Sequence, residues 1–350
     1  MFHQLEKRGK SIRTDSSTIP FISVIMPVRN EQDFIERSVG AVLNQDWPTE
    51  KLEVIVADGM SADKTRELIQ GMMQWHSNLK LVDNPKKTAP TAINVACRHA
   101  KGEIIVRVDG HCEIAPDYVQ RCVEHLQTHP EVDCVGGPIE TIGHSLVSQA
   151  IAVGMSSHFG VGGSTFRTAK GKTMLVDTVA FPAYRRSILQ RAGEFDEELV
   201  RNQDDEYSYR MRKLGAKILL AEDVHANLYS RSSLTKFWKQ YYQYGYWKVR
   251  VLQKHPMQMR PRQFAPPLFV AALCVCLLLA ITTPFGWWLL AMLVGSYAVA
   301  NLIASFVTAA RTRWKYMPLL PIVFAILHLS YGFGFLVGLV SFAHRWGANR

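Results

Sequence analysis

The chain has 350 residues and a net charge of +10, enough for one large domain or two modest ones. Residues 1–223 hold all 30 acids and 27 of the 40 Lys and Arg, hence −3, while residues 224–350 hold the other 13 basic residues and no acid, hence +13. The purely basic half also contains a stretch, 263–310, with no charged residue, so the polyanion it faces is an anionic membrane and not nucleic acid.

Residues 1–20 are polar and lack an apolar core, and so predict a loose tail with no signal peptide. From residue 21 strand and helix signals alternate. "FISVIMP", "LEVIVAD", "LKLVD", "EIIVRVD" and "VDCVGG" read as strands. Between them "EQDFIERSVGAVLNQ", "SADKTRELIQGMMQW", "APTAINVACRHA" and "PDYVQRCVEHLQ" carry helical spacing, the second behind a Ser or Asp cap and the last opened by Pro116. This alternation predicts an α/β fold with a mostly parallel sheet flanked by helices, whose ligands bind beyond the carboxyl ends of the strands. Three neighbouring strand ends are polar there: Pro27-Val28-Arg29-Asn30-Glu31, Asp58-Gly59 and Asp109-Gly110-His111.

Residues 136–183 are less regular, and "FGVGGSTFR" (159–167) is expected to be a loop over the site or on the surface. "RNQDDEYSYRMRKLG" predicts a helix with Asp204, Asp205 and Glu206 in its first turn and Gly215 as its stop, and "AKILLA" a closing strand. "LTKFWKQYYQYGYWKVRVLQK" (234–254) mixes aromatic and basic residues as an interfacial helix on an anionic leaflet does. Three membrane spans are expected after it, at 265–283, 287–309 and 317–343. The resulting division is a tail 1–20, a catalytic domain 21–230, a basic aromatic segment 231–262, a membrane region 263–343 and a tail 344–350.

Eight basic residues between Arg231 and Arg262, with Arg311, Arg313 and Lys315 between the second and third spans, put those loops and the catalytic domain on the cytoplasmic side of an inner membrane. Arg345 and Arg350 then fall on the far side, against the rule. Six cysteines without paired metal spacing or a disulfide framework agree with a reducing compartment.

A strand-end carboxylate beside a second donor suits Mg²⁺ or Mn²⁺ against a diphosphate, and the imidazole of His111 leans toward manganese. Asp58 is a candidate acceptor for a nucleobase or ribose. Asp204 is a candidate general base for an acceptor hydroxyl.

The series "SVIMPVRNE", "VIVADGMSAD", "IVRVDGH" and "NQDDEYSYR" resembles the family 2 glycosyltransferases of GT-A fold, of the succinoglycan-biosynthesis kind, over roughly residues 20–255. The resemblance implies inverting transfer from a nucleotide sugar. It implies a nucleotide pocket lined by Pro27, Val28, Asn30 and Glu31, Asp58 facing uracil or ribose, and Asn94 near the nucleotide. Asp109 and His111 stand at the metal motif, with His111 replacing the family's second Asp, and Asp204 at the catalytic aspartate, with Gln203 replacing the preceding Glu and Asp205 as its rival. Arg210 or Lys87 would offset phosphate charge, and the processive "QxxRW" signature is missing, although Gln240 and Gln243 are present. The expected partners are a UDP-sugar, with glucose as the sugar, a lipid-linked saccharide acceptor in exopolysaccharide biosynthesis and the membrane. Transfer to polyprenyl phosphate, processive synthesis, and a non-enzymatic membrane-tethered nucleotide-sugar binder are the competing readings.

Overall fold

The computed structural model describes residues 19–143, 145–162, 171–229 and 233–346; the expected N-terminal tail and most of the glycine-containing loop lie outside them. Eleven strands are described: β1 (Ile22–Val28), β2 (Leu52–Asp58), β3 (Leu79–Asp83), β4 (Ile104–Arg107), β5 (Cys112–Ile114), β6 (Cys134–Gly137), β7 (Ile139–Ile142), β8 (Met174–Val176), β9 (Ala180–Arg185), β10 (Ile218–Leu220) and β11 (Ala226–Tyr229). The helices of the catalytic body are α1 (Ile35–Leu43), α2 (Thr65–Met73), α3 (Ala89–His99), α4 (Tyr118–Thr128), α5 (Leu146–Met155), α6 (His158–Val161), α7 (Arg186–Ala192) and α8 (Gln203–Lys213). Four longer helices follow: α9 (Leu234–Lys254), α10 (Ala265–Thr282), α11 (Pro284–Arg311) and α12 (Leu320–Ser341).

The main sheet runs β3-β2-β1-β4-β9-β6-β10-β8, with β5-β11-β7 as a small second sheet. β1 pairs in parallel with β2 and β4, so Val28 lies beside Asp58 and Ile25 beside Arg107. The period-two alternation of each strand feeds two cores. Val24, Met26, Val54, Val56, Ile104 and Val106 pack under α1, α2 and α4. Ile25, Ile55, Ala57 and Ile105 pack under α3, α7 and α8.

The sheet differs from the expected simple alternation at one place. β6 is not the neighbour of β4, because β9, from the segment that read as irregular, enters antiparallel between them. Its "AFPAYR" is short and bears Pro182, which masks a strand pattern.

The helix expected to lie on a leaflet buries one face against the protein and leaves Lys236, Trp238 and Lys239 exposed. Phe237, Val249, Val251, Lys248 and Arg250 of α9 are buried, and the helix is wedged between the catalytic body and α12. Its polar seam against the loop before α8 is ionic. Glu198 takes two bonds from Arg250, at 2.7 and 3.0 Å, and a further contact from Lys254 at 2.7 Å. Arg250, aided by Lys254 and against burial, holds the Glu198 carboxyl down to about 2. A depressed folded-state value stabilises above the ordinary carboxylate range and is lost as pH falls through it. Replacing Glu198 with Gln is therefore expected to cost roughly 2 kcal/mol at pH 7, allowing for solvent screening. It should also flatten the stability profile between about pH 5 and 2, as read by denaturant unfolding in detergent.

α10, α11 and α12 are each long and apolar enough to cross a membrane. Pro284, expected in a turn, opens α11 at its N1 position behind Thr283, whose hydroxyl accepts from Gly286 N.

Candidate active site

The carboxyl ends of β1, β2 and β4 open into a cavity of about 1560 Å³. Pro27, Val28, Asn30, Glu31, Asp109 and His111 line it on the sheet side. Gly110 packs closely between the last two, since a Cβ there would stand 3.0 Å from Glu31 Cγ and from Val28 Cγ1. His111 Nδ1 lies 3.0 Å from Glu31 Oε1.

Asp204 and Asp205, in the first turn of α8, line the same cavity. The link between the two sides is Arg107, a residue that sequence reasoning passed over. It sits on the face of β4 that carries Ile105, and Ile105 packs in one cluster with Tyr207 and Met211 of α8. The buried guanidinium donates from Nε and Nη2 to Asp109 Oδ1, at 3.1 and 3.0 Å, and from Nη1 to Asp204 Oδ1. Two acids far apart in sequence thus share one cation. The available signal was an arginine inside an apolar strand, two residues before the acid, hence on the same side of the chain.

The environments of the two α8 acids diverge. Burial raises the Asp204 carboxyl above the usual range, with Asp109 and Asp205 adding to it and Arg107 opposing. Burial also pushes on Asp205, but Lys248 outweighs it and the net shift is downward. Asp205 Oδ2 lies 2.5 Å from the Nζ of that nearly fully buried lysine. Removing the lysine leaves Asp205 unpaired but partly open to solvent, so Lys248→Met is expected to lower stability by about 1–3 kcal/mol. Adding Asp205→Asn should recover most of the loss, and a double-mutant cycle of unfolding free energies measures it.

Two expected site residues are not on the cavity wall. Asp58 is fully buried, and its carboxylate accepts from Ser61 N, Ser61 Oγ and Arg66 Nη1, at 3.0, 2.5 and 2.7 Å. It shapes the loop that carries Gly59, which does line the cavity. Asn94 is committed to the 195–197 segment, donating to Phe195 O and accepting from Phe195 N at 2.9 and 2.8 Å, so it clamps α3 and does not face the cavity. Arg210 pairs with Glu206 within α8 and also stands off the wall, whereas Lys87 is on it.

The opposite wall is basic and then apolar. Lys236, Lys239, Arg212, Arg260 and Arg262 line it, followed by Phe269, Tyr297, His328 and Tyr331 from the long helices. Among the described residues, Arg212 Nε, Gln258 Oε1 and Tyr331 Oη are buried there without a hydrogen-bond partner. Gln240 and Gln243 of α9 also face the cavity; Gln243 Oε1 accepts from Arg201 Nε at 3.0 Å, steadying the turn that presents Asp204.

The sequence profile described as "Glycosyl transferase family 2" matches residues 23–193. The chain is 30% identical over 341 residues to succinoglycan biosynthesis protein ExoA of Rhizobium meliloti, covering 95% of this chain and 99% of that one. It is 28% identical over 328 residues to a Methanococcus voltae protein, covering 92% and 98%. That relative is dolichyl N-acetyl-alpha-D-glucosaminyl phosphate 3-beta-D-2,3-diacetamido-2,3-dideoxy-beta-D-glucuronosyltransferase. Among solved structures, the mannosyltransferase PcManGT of Pyrobaculum calidifontis, held with GDP-Man and Mn²⁺, superposes with a TM-score of 0.57 at 21% identity, over 91% of this chain and 87% of that one. The shared fold, the matched profile and kinship along nearly the whole chain make this protein a member of glycosyl transferase family 2, an enzyme of GT-A-type fold with apolar helices at its C-terminal end.

Proposed function

We propose that the enzyme is an inverting transferase that moves a single sugar, glucose, from a UDP-sugar to a lipid-linked saccharide at the cytoplasmic face of the inner membrane. The observation that carries the reading is the meeting of Asp109 and Asp204 on Arg107, inside a cavity whose far wall is basic and then continues into long apolar helices. Two relatives similar along nearly their whole lengths are named for succinoglycan biosynthesis and for transfer onto a dolichyl-linked sugar phosphate.

In the proposed mechanism the nucleotide lies along Pro27–Glu31 with Lys87 near its phosphates. Asp109 Oδ2 has no hydrogen-bond partner among the described residues, and His111 lies on the same wall. No cluster of three His, Cys, Asp or Glu able to hold a metal occurs among those residues. This donor set fits Mg²⁺ or Mn²⁺ completed by phosphate oxygens, the usual arrangement for a cation that reaches its site with a nucleotide. Such a cation would neutralise charge on the departing diphosphate, and two solved structures of this fold carry Mn²⁺. Asp204, its affinity for protons raised by burial, takes the proton of the acceptor hydroxyl as that oxygen attacks the anomeric carbon opposite the leaving group. Asp205 is the poorer base because Lys248 holds it ionised. Lys236, Lys239, Arg260 and Arg262 receive the acceptor's phosphate, and the apolar wall receives its lipid.

The purified full-length chain in nanodiscs, given UDP- and GDP-hexoses with defined lipid-linked saccharides, tests the reading. The expected result is divalent-dependent addition of one sugar per acceptor with UDP-glucose. A ladder of products, modification of polyprenyl phosphate alone, or nucleotide binding without transfer would each overturn it.

A further inference from the structure

A helix that crosses a bilayer has its ends on opposite sides. α12 has 22 residues, hence a length of about 33 Å, close to the roughly 30 Å of a hydrocarbon core. Yet both of its ends are tied to the same globular body. At the N-terminal end, Lys315 Nζ and Tyr316 Oη donate to Gln149 Oε1 of α5 at 2.9 and 3.2 Å. Leu320, Val323 and Phe324 share a core with Ala150 and Ile151 of that helix. At the C-terminal end, Phe342 O accepts from Gln253 Nε2 of α9 at 2.8 Å. Three residues on, Arg345 Nη1 lies 2.5 Å from Glu198 Oε1, in the loop that leads to the catalytic turn.

Between its ends α12 is held along α9, the two running in the same direction. Gly245 faces the Tyr331 carbonyl, Gly334 that of Tyr242 and Gly338 that of Tyr246. A Cβ at these glycines would stand 2.0, 2.0 and 2.6 Å from the respective oxygens. Small residues permit such backbone contact. α9 in turn places Lys248 and Arg250 on Asp205 and Glu198. If α12 spanned the bilayer, these charges would be carried to hydrocarbon depth, at several kcal/mol each.

The α10–α11 hairpin behaves differently. It meets α12 along its inner half, through Gly332 against Pro266 and Val270, through Asn301 Nδ2 on Pro321 O at 3.0 Å and through Tyr297 Oη, 3.0 Å from His328 Nδ1. The rest of it projects outward, with Ile281 82% and Trp288 77% exposed near its tip.

We infer that α12 does not cross the membrane but lies in the interfacial plane. Its outer face, Ile322, Phe333, Val337 and Val340, sits in the lipid boundary and seats the catalytic body flat on the leaflet, while the α10–α11 hairpin makes the crossing. The occupant of that face is lipid because the face is apolar and continuous with the base of the hairpin, and because basic residues flank both ends of the helix: Arg311, Arg313 and Lys315 before it, Arg345 after it. The arrangement also removes the charge conflict, since Arg345 returns to the side that holds the other loop arginines.

The test is labelling of the full chain with a membrane-impermeant maleimide in intact cells and in inverted vesicles. Four of the native cysteines are buried or half-buried in the catalytic body and Cys274 and Cys276 lie in the hairpin, so the unsubstituted chain supplies the background. Trp75→Cys marks the catalytic body, Thr283→Cys the hairpin tip and Trp346→Cys the residue beyond α12. Trp346→Cys is expected to label in the same preparation as Trp75→Cys, with Thr283→Cys in the opposite one. Labelling of Trp346→Cys together with Thr283→Cys would overturn the inference. A reporter fused after Arg350 gives an independent reading in a bacterial host. Green fluorescence there together with Trp75→Cys labelling only in inverted vesicles supports the proposal, and periplasmic alkaline phosphatase activity with that same labelling overturns it. Neither measurement uses a donor or an acceptor, so a failed transfer assay and a failed topology are separable results.

Discussion

Asp204→Asn is expected to leave the fold and nucleotide binding intact and to lower turnover by about 10²–10⁴-fold, the range for losing a general base. Amide and carboxylate have the same shape, and Arg107 still has Asp109 as partner, so the cavity keeps its form. The change falls on the chemical step: kcat drops while the KM for the sugar nucleotide stays close to that of the unsubstituted enzyme. Asp205→Asn is the control. It also strips the buried Lys248 of its partner, so the comparison is of turnover per folded enzyme; if that falls as far as in Asp204→Asn, the assignment of the base moves to Asp205.

Arg107→Met is the second change with a large expected effect. Arg107 is the buried cation between Asp109 and Asp204, and without it two carboxylates face each other inside a cavity. A loss of about 1–3 kcal/mol of stability is expected, since the acids left without their cation are partly open to solvent in the cavity. A kinetic signature distinguishes this role from mere packing. Arg107 favours the ionised form of Asp204, whereas burial and Asp109 oppose it. Removing the guanidinium therefore raises the Asp204 value further. The ionised form is the active one, so the acid limb of kcat/KM moves to higher pH. Arg107→Lys keeps the charge but has no fork to reach both acids, and should restore stability more fully than it restores the pH profile. An unmoved acid limb in Arg107→Met would separate Arg107 from the protonation of Asp204.

The sheet was legible in the sequence because its central strands are uninterrupted apolar runs, each ended by a polar residue. β1, β2 and β4 lie side by side, so the acids that end them meet at one edge. β9 was hidden because a six-residue strand with a proline carries little periodic signal, and its antiparallel pairing with both neighbours is a long-range matter. Asp58 and Asn94 show a further limit. Residue type and position suggested contact with a nucleotide, but a carboxylate or an amide at a strand end or on a helix serves a loop equally well, and which one it serves depends on partners elsewhere in the chain.

The sequence by itself determined the α/β core and the membrane-directed charge and hydropathy of the second half, and it put forward the acids at 109 and 204 as candidates. Local periodicity and composition carry those features. Only the tertiary structure decided that Arg107 joins the two acids, that Lys248 separates the behaviour of Asp205 from that of Asp204, and that α12 has both ends on the catalytic body. Each of these is a contact between residues far apart along the chain. Hydropathy measures how apolar a helix is, but it carries no information on where the helix ends are anchored, and that is set by their ion pairs and hydrogen bonds.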